Sequence, residues 1–254
     1  MFQGLHRLVE TFFSWSQMHA VLVPLVEVGI PNTILLSVGG ILIGTILGMV
    51  LAVMLVSRSL FLRAPARAYV DIFRGLPTIL TILLIGEGLP IARVDIFGKN
   101  AYPYAMLALG MIAGAFVSEV FRSGIESIER GQMEAARGLG LSHRQALALV
   151  VVPQGVRRVL PALTNLFVAL VKDSSLVYLL GLLTSQRELF SIAQDASSNS
   201  GNLSPMVLAG AFYLLLTVPL SHAVNVLDRR LRAGRPLFGR SGAPVALRHS
   251  LEVG

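Results

Sequence analysis

The chain has 254 residues, 54% of them hydrophobic and only 14% charged, and its mean hydropathy is +0.71. A soluble domain carries about 25% charged residues, so too little polar side chain is present to cover a water-soluble globule, which argues against a soluble enzyme and for an integral membrane protein. The net charge of +7 suits an anionic membrane surface rather than nucleic acid, because long apolar runs separate the basic clusters.

In chain order, the first stretch mixes His6, Arg7 and Glu10 with apolar residues and has no clean apolar core or small-residue cleavage site. It is therefore not an ordinary signal peptide and is expected to remain in the mature protein. Residues 11–30 are short and broken by Pro24 and Glu27, so residues 1–30 read as an extracytoplasmic segment with an interfacial or capping helix. A helix needs about 20 apolar residues to cross the hydrocarbon core. Thr33–Ser57, without a charge, predicts the first span. Ile72–Ile91 predicts the second, with Arg74 and Glu87 near its ends and Pro77 in its first turns. Ala101–Ser118 predicts the third, continuing past Glu119. Pro161–Leu183 predicts the fourth, with Lys172 and Asp173 at its centre, and Leu203–Leu227 the fifth. Residues 31–233 thus form an all-α membrane domain of about five helices, and 234–254 read as a disordered cytoplasmic tail.

Sixteen of the 21 Lys+Arg flank one set of span ends, among them Arg58, Arg63, Arg67, Arg122, Arg137, Arg158 and Arg229. Only Arg7, Arg93, Lys99 and Arg187 lie on the other side. The positive-inside rule puts the N-terminus outside and the C-terminus in the cytoplasm. Gly40, Gly44 and Gly48 in span one and Gly110 and Gly114 in span three follow small-xxx-small spacing, which lets helix backbones approach closely. Packing within the chain and contact with a second subunit both satisfy that pattern.

The connection of about 125–153 between spans three and four is long and polar. Gln132–Gly138 predicts a short helix ended by glycine. Ser142 caps a second helix, with Gln145 completing a capping box, and Pro153 is expected to close it. Helix, glycine turn and helix make a rigid knob that a cytoplasmic partner could grip.

Glu134-Ala135-Ala136, followed by Gly140 and then Val150-x-Val152-Pro153, resembles the EAA loop of binding-protein-dependent ABC importer permeases. Phe73-Arg74-Gly75-Leu76-Pro77 is similar to the FRGTP of the polar amino-acid subfamily (histidine, glutamate, glutamine, arginine, opines). Ser118–Gly124 resembles its AEIFRGG, Pro153-Gln154 with Arg157-Arg158 and Pro161 its PQAxRRxxP, and Lys172–Leu176 its KDTSL. The resemblance spans roughly 30–233. Leu76, Thr81 and Glu87 depart from the family pattern in the second span, which helps line the pathway, so the resemblance leaves the identity of the substrate open.

The resemblance implies an ABC importer type I permease fold in a bacterial inner membrane, with this multi-pass chain forming half of a translocation pathway. It implies a pair of ATP-binding subunits, a second copy or homologous permease, and a periplasmic or extracellular amino-acid-binding protein. The ATPase-coupling residues would be Glu134, Ala135, Ala136 and Gly140. No G-x-x-x-x-G-K-[ST] occurs in the chain, so ATP and Mg are expected on the partner and no cofactor on this chain.

Lys172, Asp173, Ser174, Ser175 and Glu87 are the candidate pathway residues. A charge inside the bilayer costs at least about 2.5–3.5 kcal/mol on insertion scales and so faces a bundle interior or water. Lys172 and Asp173 could meet the two charges of an amino acid, or pin helix packing as a structural pair. Ser174 and Ser175 could donate at the same depth or bond back to their own helix carbonyls. Glu87 is either a pathway carboxylate or an interfacial one. Glu119 reads as a partner of Arg122 or a loop arginine. No histidine spacing or Ser/His/Asp grouping supports a catalytic or metal site, and cysteine is absent. A gradient-driven secondary transporter is the alternative, and it requires no ATPase partner.

Overall fold

The computed structural model describes residues 2–232 except Asp95, Lys99 and Glu129. The tail expected to be disordered, 234–254, lies outside the described residues. Among those residues every regular element is helical: α1 (Phe2–Phe12), α2 (Trp15–Pro24), α3 (Ile30–Leu55), α4 (Leu60–Gly75), α5 (Thr78–Gly86), α6 (Gly88–Ile91) and α7 (Ala101–Glu126) lead to the knob. Then come α8 (Arg130–Gly138), α9 (His143–Ala146), α10 (Val152–Asp173), α11 (Leu189–Ser200) and α12 (Ser204–Arg232). Four stretches are long and apolar enough to cross a membrane, His6–Leu55, Ala101–Glu126, Arg158–Leu180 and Ser204–Val224, and a fifth forms if the bent α4–α5 region is one span. The expected all-α architecture is present, with four candidate spans and the fifth formed by the bent pair.

Three details differ from the expectations, and proline chemistry explains each. No break falls at residue 30. The π-helical turn Leu25–Gly29 precedes Pro31, whose ring faces the Glu27 carbonyl four residues back, and joins α2 to α3, so residues 15–30 run into the helix of the first span without the boundary expected there. The second span is not continuous. Leu76 is extended (φ −79°, ψ 141°), as the residue before a proline prefers, and α4 and the helical run Thr78–Ile91 meet at 108°. Pro153, conversely, does not end its helix. The π-helical turn Leu147–Val151 precedes it and α10 runs on through it from Val152. A proline ring clashes with the carbonyl four residues back, and a π-turn re-aims that carbonyl.

The core is the seam between α3 and α7. Leu36, Ala105, Ala108, Leu109 and Ile112 are buried there with Ile82 of α5 and Val177. The glycine pattern is what closes the seam: a Cβ on Gly48 would stand 2.6 Å from Val117 Cγ1, and one on Gly110 2.5 Å from Ile43 Cγ2. Packing within the chain therefore occupies both glycine rows. A second apolar cluster joins Val21 and Leu25 to Leu189 and Ala193 of α11 and Ala209 of α12.

Candidate functional site

The knob forms as its residues dictate. The N–H of Ser142 donates to Gln145 Oε1 at 2.9 Å and that of Gln145 to Ser142 Oγ at 3.3 Å, which is the expected capping box. Gly140 has φ +89°. Its N–H donates to the Arg137 carbonyl at 3.0 Å while the Leu141 N–H reaches the Ala136 carbonyl at 3.3 Å, a Schellman termination that needs the left-handed glycine. The stems are tied as well. Arg158 Nη1 donates to the Ser127 carbonyl at 2.6 Å, Gln154 Nε2 to Gln132 Oε1 at 3.3 Å, and Gly124 packs directly on Val159. Glu134, Ala135 and Gly140 are exposed, Leu139 is 85% exposed, and Ala136 is buried at the base. An apolar Leu139 held outward on a rigid support is a shape for a partner's groove.

The same helix that leaves the knob ends at the other candidate set. Asp173 is the last residue of α10, so the 22-residue helix spans about 33 Å between them. A 3₁₀ segment, Ser174–Leu180, follows, which places Lys172 and Asp173 at a helix junction instead of mid-helix. Neighbouring residues on a helix diverge. Lys172 is exposed, Asp173 half-buried, and the two make no ion pair among the described residues. The hydroxyls of Ser174 and Ser175 donate to the carbonyls of Val171 (2.8 Å) and Lys172 (2.7 Å). That is the local back-bonding alternative for both serines.

Glu87 is exposed at the end of α5. Its neighbour Gly86 packs on Leu180, so Glu87 stands at the far end of the 3₁₀ segment, roughly 14 Å along it from Asp173 at about 2 Å per residue. The structure thus lines Glu87 and residues 172–175 along one segment and keeps them apart from residues 134–140. Glu119 takes its expected partner: its Oε2 is 2.6 Å from Arg122 Nη2, and its Oε1 is 3.1 Å from Arg67 Nη1. Among the described residues no group of three or more His, Asp or Glu could hold a metal ion.

One acid escaped the sequence reading. Glu188, between the fourth and fifth spans, is fully buried. It caps α11 by accepting from the N–H groups of Phe190 (2.6 Å) and Ser191 (2.7 Å), takes the Ser191 hydroxyl, and accepts from the Tyr213 hydroxyl at 2.9 Å. Burial raises its pKa above the ordinary carboxylate value, and those hydrogen bonds oppose the rise. Beside it, the Leu189 N–H donates to Thr33 Oγ1 at 3.2 Å, Asn32 Nδ2 holds the Ser185 and Arg187 carbonyls, and Arg187 pairs with Asp195 at 2.9 Å. An acid just ahead of an amphipathic helix is an N-cap signal. Its burial could not be read from the sequence, because α3, α11 and α12 enclose it only once folded.

Residues 40–233 match the family model described as the binding-protein-dependent transport system inner membrane component. The chain is 35% identical over 203 residues to the probable glutamine ABC transporter permease protein of Bacillus subtilis (strain 168), covering 80% of this chain and 91% of that one. It is 34% identical over 224 residues to the glutamate/aspartate import permease protein of Escherichia coli O6:H1, covering 86% and 98%. A crystal structure of an amino acid ABC transporter with histidines superposes with a TM-score of 0.76 at 28% identity, over 85% of this chain and 98% of that one. With the family matched over residues 40–233, most of the chain and the knob included, this chain belongs to the inner membrane components of binding-protein-dependent transport systems.

Proposed function

We propose that the chain is the permease subunit of an ATP-driven amino-acid importer in a bacterial inner membrane. It forms half of the pathway beside a second copy or a homologous permease, and an extracytoplasmic amino-acid-binding protein delivers the solute. A pair of ATP-binding subunits carries the ATP and Mg, and this chain needs no cofactor of its own. The amino-acid relatives support the substrate class. The observation that carries the coupling reading is the exposed knob at the start of α10, with Glu134, Ala135 and Leu139 outward on capped, cross-tied stems.

In this scheme the ATPase grips Glu134–Gly140 and α10 transmits the movement to Asp173 as a rigid lever. Lys172, Asp173 and Glu87 face the solute. The serine hydroxyls, already bonded to helix carbonyls, hold the 3₁₀ junction that lets this end of the lever turn. Outward faces need a cover too: Ile46, Val53, Leu214 and Leu215 are each 63–69% exposed, which suits lipid and a second permease.

Affinity purification from native membranes in mild detergent tests the reading. Recovery of a nucleotide-binding chain with ATPase activity, lost with Glu134→Arg while the variant still inserts, is the expected result. Isolation of a stably inserted, inactive chain alone favours the gradient-driven transporter.

A further inference from the structure

Where α3 ends and α4 begins, a cavity of about 460 Å³ opens against the last turns of α7. Leu55, Leu60 and Ala64 form its apolar part, and Arg63, Arg67, Arg122 and Glu126 its polar part. Two of the arginines are committed to carboxylates. Arg122 is held by Glu119 and by Glu126 at 2.7 Å, and Arg67 by Glu119 and by Asp71 at 3.5 Å. Arg63 makes no ion pair among the described residues. Glu119, Glu126 and Asp71 together balance the three arginines in number, yet the carboxylates are spent on Arg67 and Arg122, which leaves the Arg63 guanidinium without an ion pair among the described residues. The paired arginines still have N–H groups to offer, because a guanidinium has five donors in a planar fork.

The location restricts what can fill it. This is the arginine-rich end of the bundle, the cytoplasmic end by the positive-inside rule. Leu60 and Phe61, on the first turn of α4, are 65% and 93% exposed. Exposed side chains of this kind beside arginines one and two turns further on suit the boundary between acyl chains and headgroups, where the apolar groups meet the chains and the guanidinium groups the headgroups. A ligand with a phosphate monoanion for the guanidinium fork and an apolar continuation for Leu55, Leu60 and Ala64 matches both halves. Basic pockets between spans on the cytoplasmic side suit anionic headgroups for this reason.

We infer that this cavity is a binding site for the phosphate headgroup of an anionic phospholipid from the inner leaflet, with Arg63 as its principal contact. The lipid docks α4 to the ends of α3 and α7, below the 108° break that separates α4 from α5. The inference concerns membrane binding and does not depend on the transport reading.

The test is thermal unfolding of the full chain, with whatever subunits co-purify, after delipidation in detergent. Phosphatidylglycerol, phosphatidylcholine with the same acyl chains, and millimolar inorganic phosphate are each added back. Phosphatidylglycerol should raise the midpoint by about 5 °C more than phosphatidylcholine at saturation. Arg63→Gln should abolish that difference while melting normally in phosphatidylcholine. Ala64→Trp, which fills the cavity without removing a charge, should abolish it as well. Arg58→Gln, whose side chain does not line the cavity, should keep it. Equal effects of the two lipids, or a preference that survives both Arg63→Gln and Ala64→Trp, overturn the inference. So does a full shift from inorganic phosphate alone, which would assign the cavity to a soluble phosphate compound.

Discussion

The Tyr213 hydroxyl donates to Glu188 at 2.9 Å and so fastens α12 to the first turn of α11. Thr33 accepts from the next backbone N–H, that of Leu189, and brings α3 into the same knot. The buried carboxyl group thus holds α11 to α12, and the backbone N–H next to it holds α3 at the same place.

Glu188→Ala leaves two N–H groups and two hydroxyls without their acceptor and should cost about 2–4 kcal/mol of stability. Glu188→Gln has a different signature, in pH dependence. Burial raises the folded pKa of Glu188, so the folded state holds the proton more tightly than the unfolded chain. That stabilising contribution is fully present below the unfolded value of about 4.3 and is lost as pH rises through the folded value. Glutamine does not titrate, so the variant should gain on the wild type as pH rises from acid to neutral. Denaturant melts of the purified chain at acid and neutral pH check this, and identical pH slopes would contradict it.

Gly48→Leu should destabilise the α3–α7 seam by about 1–3 kcal/mol, because its first carbon already collides with Val117. Gly210→Ala, on α12, meets nothing within 4 Å and should be neutral or slightly stabilising, since alanine favours a helix interior. Melting temperatures of the two variants in one detergent provide the comparison.

Gly140→Val places a β-branched side chain at φ +89°, a conformation that costs an L-residue about 1–2 kcal/mol. The span packing does not involve this turn. The expected result is normal insertion with weakened recovery of the ATP-binding chain, measured by co-purification.

Asp173→Asn should lower amino-acid uptake about tenfold or more, the scale of losing one charged hydrogen bond. Lys172→Gln should do so independently, because the two side chains diverge and make no ion pair with each other in the structure. Initial uptake rates of the single and double variants test that. A double variant no worse than either single would show that they act as one pair. Unchanged uptake in all three would remove both from the pathway.

The sequence carried the spans, the glycine rows and the capping box because each is a local pattern with its own physical cause. Ser142 and Gln145 meet as their spacing requires, and Gly48 fits only against a close neighbour. The prolines were not legible in that way. Pro77 breaks its helix and Pro153 does not, and the difference lies in the backbone before them: extended at Leu76, π-helical at Leu147–Val151. Composition cannot distinguish these two. Glu188 was hidden for a different reason: its bonds to Phe190 and Ser191 are local, but the Tyr213 that covers it lies 25 positions away and Thr33, beside Leu189, farther still. Asp173 lay at the centre of an apolar run, yet the 3₁₀ segment after it moves it to a helix end.

The most direct test of the account is uptake of a labelled amino-acid mixture into proteoliposomes containing this chain and the subunits that co-purify with it, with the binding protein outside. The account predicts uptake that requires ATP on the knob side, persists when ion gradients are collapsed, and is lost with Glu134→Arg. Uptake that proceeds without ATP, follows an imposed ion gradient and survives Glu134→Arg would contradict it.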